Sequence, residues 1–229
     1  VLPAVPRGLP GARGHSHQRT PPAGELTLEA PTAGTPDRLL DEAERLFARQ
    51  GIDGVTPREL TEAAGQRNAS AVSYHFGSRD GLVRALLARR GGPIDEARGR
   101  HREALGETPS VAELVGCLVG PWAESLRSPE GRAYVRIVDQ LRGRFTAWRT
   151  ESDATTSSHL TRILDELEAA GSGAAVGPSD RERLVGMIVM LTGTTADRAR
   201  RIEAGGPVEL SHDSFVDLLV RMCTAVVLA

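Results

Sequence analysis

The residues best placed to do chemistry lie in one short run. Asn68, Ser70, Ser73, Tyr74 and His75 follow one another closely, and Val72 and Phe76 among them stand one helical turn apart. If that apolar pair anchors a helix inward, Ala69, Ser70, Ala71, Ser73, Tyr74 and His75 are left facing out, on a surface that fits a DNA major groove about 12 Å wide. Thr56, Arg58, Arg67 and Arg79 flank this surface, and the three arginines can reach phosphates. The chemistry is hydrogen bonding to base edges and ion pairing to a polyanion, not bond making.

Charge points the same way. All 28 basic residues are arginines, set against 30 acids, for a formal net charge of -2. Residues 65 to 90 hold five arginines and the single acid Asp80, whereas residues 93 to 229 hold 16 arginines and 20 acids. A basic segment on a neutral-to-acidic body is what one surface for a polyanion looks like.

Other candidate sites are weak. His101, His159 and His212 are scattered without metal-ligand spacing, and Cys117 and Cys223 sit in apolar, helix-patterned surroundings where Cys packs as a small hydrophobe. Gly171, Gly173 and Gly177 have the wrong spacing for a nucleotide-binding loop and follow a helix, so they read as an interhelical loop. No Ser-His-acid or paired-carboxylate arrangement stands out. The expectation is therefore no metal, no cofactor and no enzyme. Trp122, Tyr134, Phe145 and Trp148 gather in the middle of the chain and serve either as core or as the lining of a ligand pocket. The longest strongly apolar stretch, Leu184 to Leu191, is too short to cross a bilayer, and a reducing, cytoplasmic setting without a membrane partner is expected.

The elements that must position these residues are helices. Residues 1 to 34 are rich in Pro, Gly, Ser and Thr and read as a disordered tail. Pro36 at a helix start and Leu39, Leu40, Ala43, Leu46 and Phe47 predict a first amphipathic helix that Gly51 ends. Thr56-Pro57 with Glu59 predicts a capping box for a second helix stopping at Gly65. A third, capped by Asn68, ends at Gly77, and Ser78 caps a fourth that Gly91-Gly92-Pro93 terminates. Further helices are expected near 94 to 105, 110 to 127, 129 to 149, 156 to 170, 179 to 203 and 211 to 228. No stretch alternates as a strand does, so the class is all-α.

Two short helices joined by a tight turn and held by a preceding helix have the spacing of a helix-turn-helix. The run Ala64-Gly65, Asn68, and Val72-Ser73-Tyr74-His75-Phe76-Gly77-Ser78-Arg79 resembles the DNA-binding signature of the tetracycline-repressor (TetR) family of bacterial transcription regulators. The resemblance covers roughly residues 35 to 90. It implies that Asn68 caps the recognition helix, that Ser70, Ser73 and Tyr74 meet bases or phosphates, and that Arg79 holds the DNA backbone. The turn is one residue longer than the family's usual one, and Gln66 or Arg67 replaces an apolar turn residue.

The last two helices carry wide apolar stripes, and the resemblance implies a four-helix dimer interface there, with Met187, Leu191, Phe215, Leu219, Met222 and Val226 as its candidates. Three segments follow: a tail over 1-34, a helix-turn-helix DNA-binding domain over 35-92, and an effector-binding and dimerisation domain over 93-229. The expected function is a ligand-responsive transcriptional regulator, a repressor that binds its operator as a homodimer and is released by an effector. Its partners would be a palindromic double-stranded DNA operator, a small-molecule effector and a second copy of itself. Helix 4 is expected to be the sole link between effector and DNA reader. The alternative is a small-molecule-binding helical protein or enzyme whose helix-turn-helix is only structural.

Overall fold

The computed structural model describes residues 34–66, 68, 70–141, 157–171 and 177–229. Among them every regular element is a helix. These are α1 (Thr35–Gln50), α2 (Pro57–Ala63), α3 (Ala71–Phe76), α4 (Arg79–Glu103), α5 (Val111–Glu124), α6 (Pro129–Gln140), α7 (Ser158–Gly171), α8 (Pro178–Glu203) and α9 (His212–Leu228), with a short 3₁₀ turn over Ser125–Arg127. The expected tail and the continuation of the sixth helix toward residue 149 lie outside the described residues.

The helix starts follow local chemistry. Thr56 and Glu59 form the expected capping box, the Glu59 amide donating to the Thr56 hydroxyl at 3.2 Å and the Thr56 amide to the Glu59 carboxylate at 2.7 Å. Ser110 and Glu113 repeat the device at α5, and Ser78 caps α4 by accepting from the Gly81 amide at 3.0 Å. Gly65 and Gly77 adopt φ of 66° and 73°, the left-handed conformation that ends α2 and α3 at no steric cost.

Helix α1 buries Leu39, Ala43 and Phe47 completely and packs on α2, α4 and α6. Farther along the chain α5 lies against α4, α7 and α9, while α6 packs along α8 and α8 along α9. One hydrophobic core runs from Leu39 to Val227, so the head formed by α1 to α3 and the helices behind it share an interior. The described residues form a single compact unit.

One expected boundary is overturned. Helix α4 does not end at Gly91-Gly92-Pro93 but runs through them to Glu103. Pro93 lacks the N–H that would reach back one turn, and the glycines favour the unfolded chain, so the local signal is for a break. Tertiary contacts overrule it. The Asp95 carboxylate accepts the amides of His159 at 3.0 Å and Leu160 at 2.7 Å, which fastens this half of α4 to the start of α7. Gly99 lets the two helices close up, since a Cβ there would lie 2.6 Å from the His159 ring.

Candidate nucleic-acid interface

Helix α3 turns one face inward. Val72 is 4% exposed and Phe76 partly buried, as their spacing requires, and both rest on the head's core. Ala71 is buried too, which corrects the expectation that it faces out: it starts the helix directly over the core. Ser70, Ser73, Tyr74 and His75 are exposed, Tyr74 to 83%. The edge of the Tyr74 ring meets His75, with centroids 4.9 Å apart.

Asn68 holds the approach to α3 by a route other than the expected cap. Its Oδ1 accepts from the Ser70 amide at 3.0 Å and from the Ser70 hydroxyl at 2.7 Å, forming an Asx turn just before a helix whose first residue is Ala71. Arg67 lies outside the described residues.

The flanking residues divide in role. Thr56 caps α2, and its amide and then its hydroxyl hold the Glu59 carboxyl below the usual range. Arg58 is exposed on α2 and donates to Glu62 at 2.7 Å, one turn away. Arg79 is turned away from the outer face. Its guanidinium donates to the Ile52 carbonyl and lies 5.4 Å from the centroid of the Phe47 ring, so it joins the start of α4 to the end of α1.

The basic excess over residues 65 to 90 is likewise partly consumed within the chain. Arg89 pairs with Asp41 at 2.7 Å, and Arg90 grips the buried Glu44 carboxylate with Nε at 2.8 Å and Nη2 at 2.7 Å. These pairs fix α4 against α1. Arg84 stays exposed with no ion pair among the described residues.

A second link joins head and body. The Gln140 amide on α6 donates to the Phe47 carbonyl at 3.0 Å and accepts the Ile52 amide at 2.8 Å, bridging the turn that follows α1. Helix α4 is therefore not the sole connection between body and head, because sequence spacing could not show that α6 folds back onto α1.

Among the body candidates, Trp122 and Tyr134 are both 4% exposed, with ring centroids 5.7 Å apart, and both line one cavity. The Trp122 indole donates to Thr195 at 2.9 Å. Phe145 and Trp148 lie outside the described residues. On the last two helices Met187, Leu191, Phe215 and Leu219 are buried in the chain's own core, Val226 is partly buried and Met222 is 37% exposed. Val185, Val189 and Leu218, which belong to the same apolar stripes but are not among the interface candidates, are exposed as Met222 is. Gly186 brings α8 close to α9, its Cβ position lying 3.8 Å from Val226. Among the described residues no group of three or more His, Cys, Asp or Glu could hold a metal, and no helix is long and apolar enough to cross a membrane.

Residues 39–86 match the family model of bacterial regulatory proteins, tetR family. The HTH-type transcriptional repressor AcnR of Corynebacterium efficiens is 30% identical over 132 residues, which cover 56% of this chain and 65% of the relative. The HTH-type transcriptional repressor KstR2 of Rhodococcus jostii is 34% identical over 84 residues, 37% of this chain and 38% of its own length. The matches thus span less than two thirds of either relative. In solved structures the fold is similar to that of the ketosteroid transcriptional regulator KstR2 of Mycobacterium tuberculosis, with a TM-score of 0.53 at 17% identity, covering 85% of this chain and 95% of that one.

Proposed function

We propose that the chain is a member of the tetR family of bacterial regulatory proteins, whose family model residues 39–86 match, and that it is a repressor of transcription, not an enzyme, that binds a palindromic operator as a homodimer and is released by a small-molecule effector. It works in the cytoplasm, on chromosomal DNA. The observation that carries this reading is Tyr74, an aromatic side chain 83% exposed on a helix whose other face is locked into the core. Large apolar rings are seldom left in water without a partner, and one beside Ser70, Ser73 and His75 suits a groove that offers both methyl groups and acceptors.

Dimer formation is supported by Val185, Val189, Leu218 and Met222, apolar side chains of α8 and α9 that are each 36% to 40% exposed. A two-fold axis through that face would cover it and present two α3 helices to half-sites about one DNA turn apart. The effector reading is supported by the cavity behind Trp122 and Tyr134, whose walls include α4 and α6, the two helices that hold the head. A ligand that fits one arrangement of those helices better shifts the separation of the recognition helices.

Selection of bound fragments from the source genome, followed by footprinting, tests the reading. A protected palindrome lost with Tyr74→Ala supports it, and uniform retention of all fragments by both proteins overturns it.

A further inference from the structure

The cavity is small and almost wholly apolar, about 70 Å³ walled by Leu87, Ile94, Leu118, Trp122, Tyr134 and Ile188. One charged side chain, Arg98 of α4, also lines it. Arg98 is 8% exposed, and its Nε has no hydrogen-bond partner. The Asp95 carboxylate comes no nearer than 3.9 Å to its Nη1, and both Asp95 oxygens are already taken by the His159 and Leu160 amides. Arg98 is thus a desolvated cation whose neighbouring anion is spent on capping another helix. Burial pushes its pKa below the ordinary guanidinium value. Such a group is costly unless something completes it.

We propose that Arg98 receives the anionic end of the effector, and that the effector is a small monocarboxylic acid with an apolar body. A guanidinium fork matches the two oxygens of a carboxylate, whereas a phosphate group would call for further cations that these walls lack. Tyr134 adds a hydroxyl to the lining, and burial, which pushes its pKa up to about 12, keeps the phenol protonated and able to donate. The remaining walls take the hydrocarbon. This inference rests on reading the body as an effector sensor.

Calorimetry on the full chain with butanoate, hexanoate and benzoate, each against its uncharged amide, reads the proposal without any knowledge of the operator. Wild type should bind at least one acid about 10-fold or more tighter than the matching amide, because only the carboxylate completes the buried cation. Arg98→Met should bring that ratio to about one while keeping the amide's affinity, and Arg98→Lys should restore part of it. Arg98→Met should also melt no lower than wild type, since it removes a poorly compensated buried charge. Equal affinity for acid and amide, no heat from any of the six, or a preference surviving Arg98→Met overturns the proposal. So does an Arg98→Met chain that melts far below wild type, which makes Arg98 structural. Footprinting of the same preparations separates the two readings: a protected operator with no acid preference sinks this inference alone, and an acid preference without any operator sinks the regulatory function alone.

Discussion

The Gln140 amide oxygen accepts the Ile52 backbone N–H at 2.8 Å, across 88 residues of chain, while its nitrogen holds the Phe47 carbonyl. One side chain thereby satisfies the Ile52 amide that the turn after α1 leaves open and adds a second donor to the Phe47 carbonyl, which also accepts from the Gly51 amide at 3.0 Å, and it belongs to a helix of the body. Gln140→Ala strands the Ile52 amide in a half-buried site, while the Phe47 carbonyl keeps the Gly51 amide. A loss of about 1 to 3 kcal/mol in urea denaturation is expected, together with a weaker effect of effector on DNA affinity. Unchanged stability would show that water replaces the side chain and that α6 is not a coupling element.

Tyr74→Ala should leave the urea midpoint within error of wild type, since a side chain 83% exposed contributes little to the fold. Affinity for the footprinted operator should fall by about 1 to 3 kcal/mol while nonspecific retention persists. A fall of the same size on random DNA would move Tyr74 from base reading to backbone contact.

Arg79→Ala separates two roles by salt. A phosphate contact removed would flatten the dependence of log K on log salt by about one counterion. With the guanidinium on the Ile52 carbonyl and the Phe47 ring, the expected result is an unchanged slope, a uniform loss of DNA affinity and a stability loss of about 1 to 2 kcal/mol. A flattened slope with unchanged stability would place Arg79 on DNA after all.

Leu218 and Leu219 are neighbours with opposite surroundings, 36% and 1% exposed. Leu218→Asp, or Met222→Asp, should leave a folded chain that light scattering finds as a monomer and that loses the operator. Leu219→Asp places a carboxylate in the core and should unfold the protein. A Leu218→Asp chain that stays dimeric argues for a different interface.

Burial pushes the Cys223 thiol up to about 12 and the Cys117 thiol in the same direction. Neither should react with a thiol reagent at pH 8 except through unfolding. The unfolded thiol loses its proton near pH 8.5, well before folded Cys223 does at about 12, so the unfolded chain binds fewer protons between those values and stability falls as pH rises through that window. Urea midpoints measured at pH 8 and pH 10 check the sign, and a rise refutes it.

What could be read from the chain alone was whatever neighbours in sequence decide. Thr56 with Glu59, Ser78 with Gly81, and the left-handed Gly65 and Gly77 are local devices, and the head follows from them. The inward Val72 and the outward Tyr74 follow from helical spacing on a known face. Where partners come from far away, the reading fails. Arg79 looks like any flanking cation until Ile52 and Phe47 are placed beside it. Gln140 is an ordinary polar residue inside the helix expected over 129 to 149, and Arg98 sits in the charged run Asp95-Glu96-Ala97-Arg98-Gly99-Arg100, where nothing in the sequence sets it apart. The stripe on α8 and α9 was legible, but not which part of it the chain uses for itself: Met187 and Leu219 are fully buried while Val189 and Leu218 are not.

The uninterrupted α4 has a mechanical side. At 1.5 Å per residue its 25 residues make a rod of roughly 38 Å, and the glycine pair with Pro93 makes its middle the most compliant point. The two glycines are not equivalent there. A methyl group at position 92 meets open space and would stiffen the rod by up to about 1 kcal/mol of helix preference. At position 91 it would stand 2.9 Å from the Tyr134 hydroxyl and push that ring from its seat in the cavity wall. The contact of Gly91 with Tyr134 thus ties the middle of the rod to the cavity wall, so that bulk added at position 91 is felt by the ring that lines the cavity.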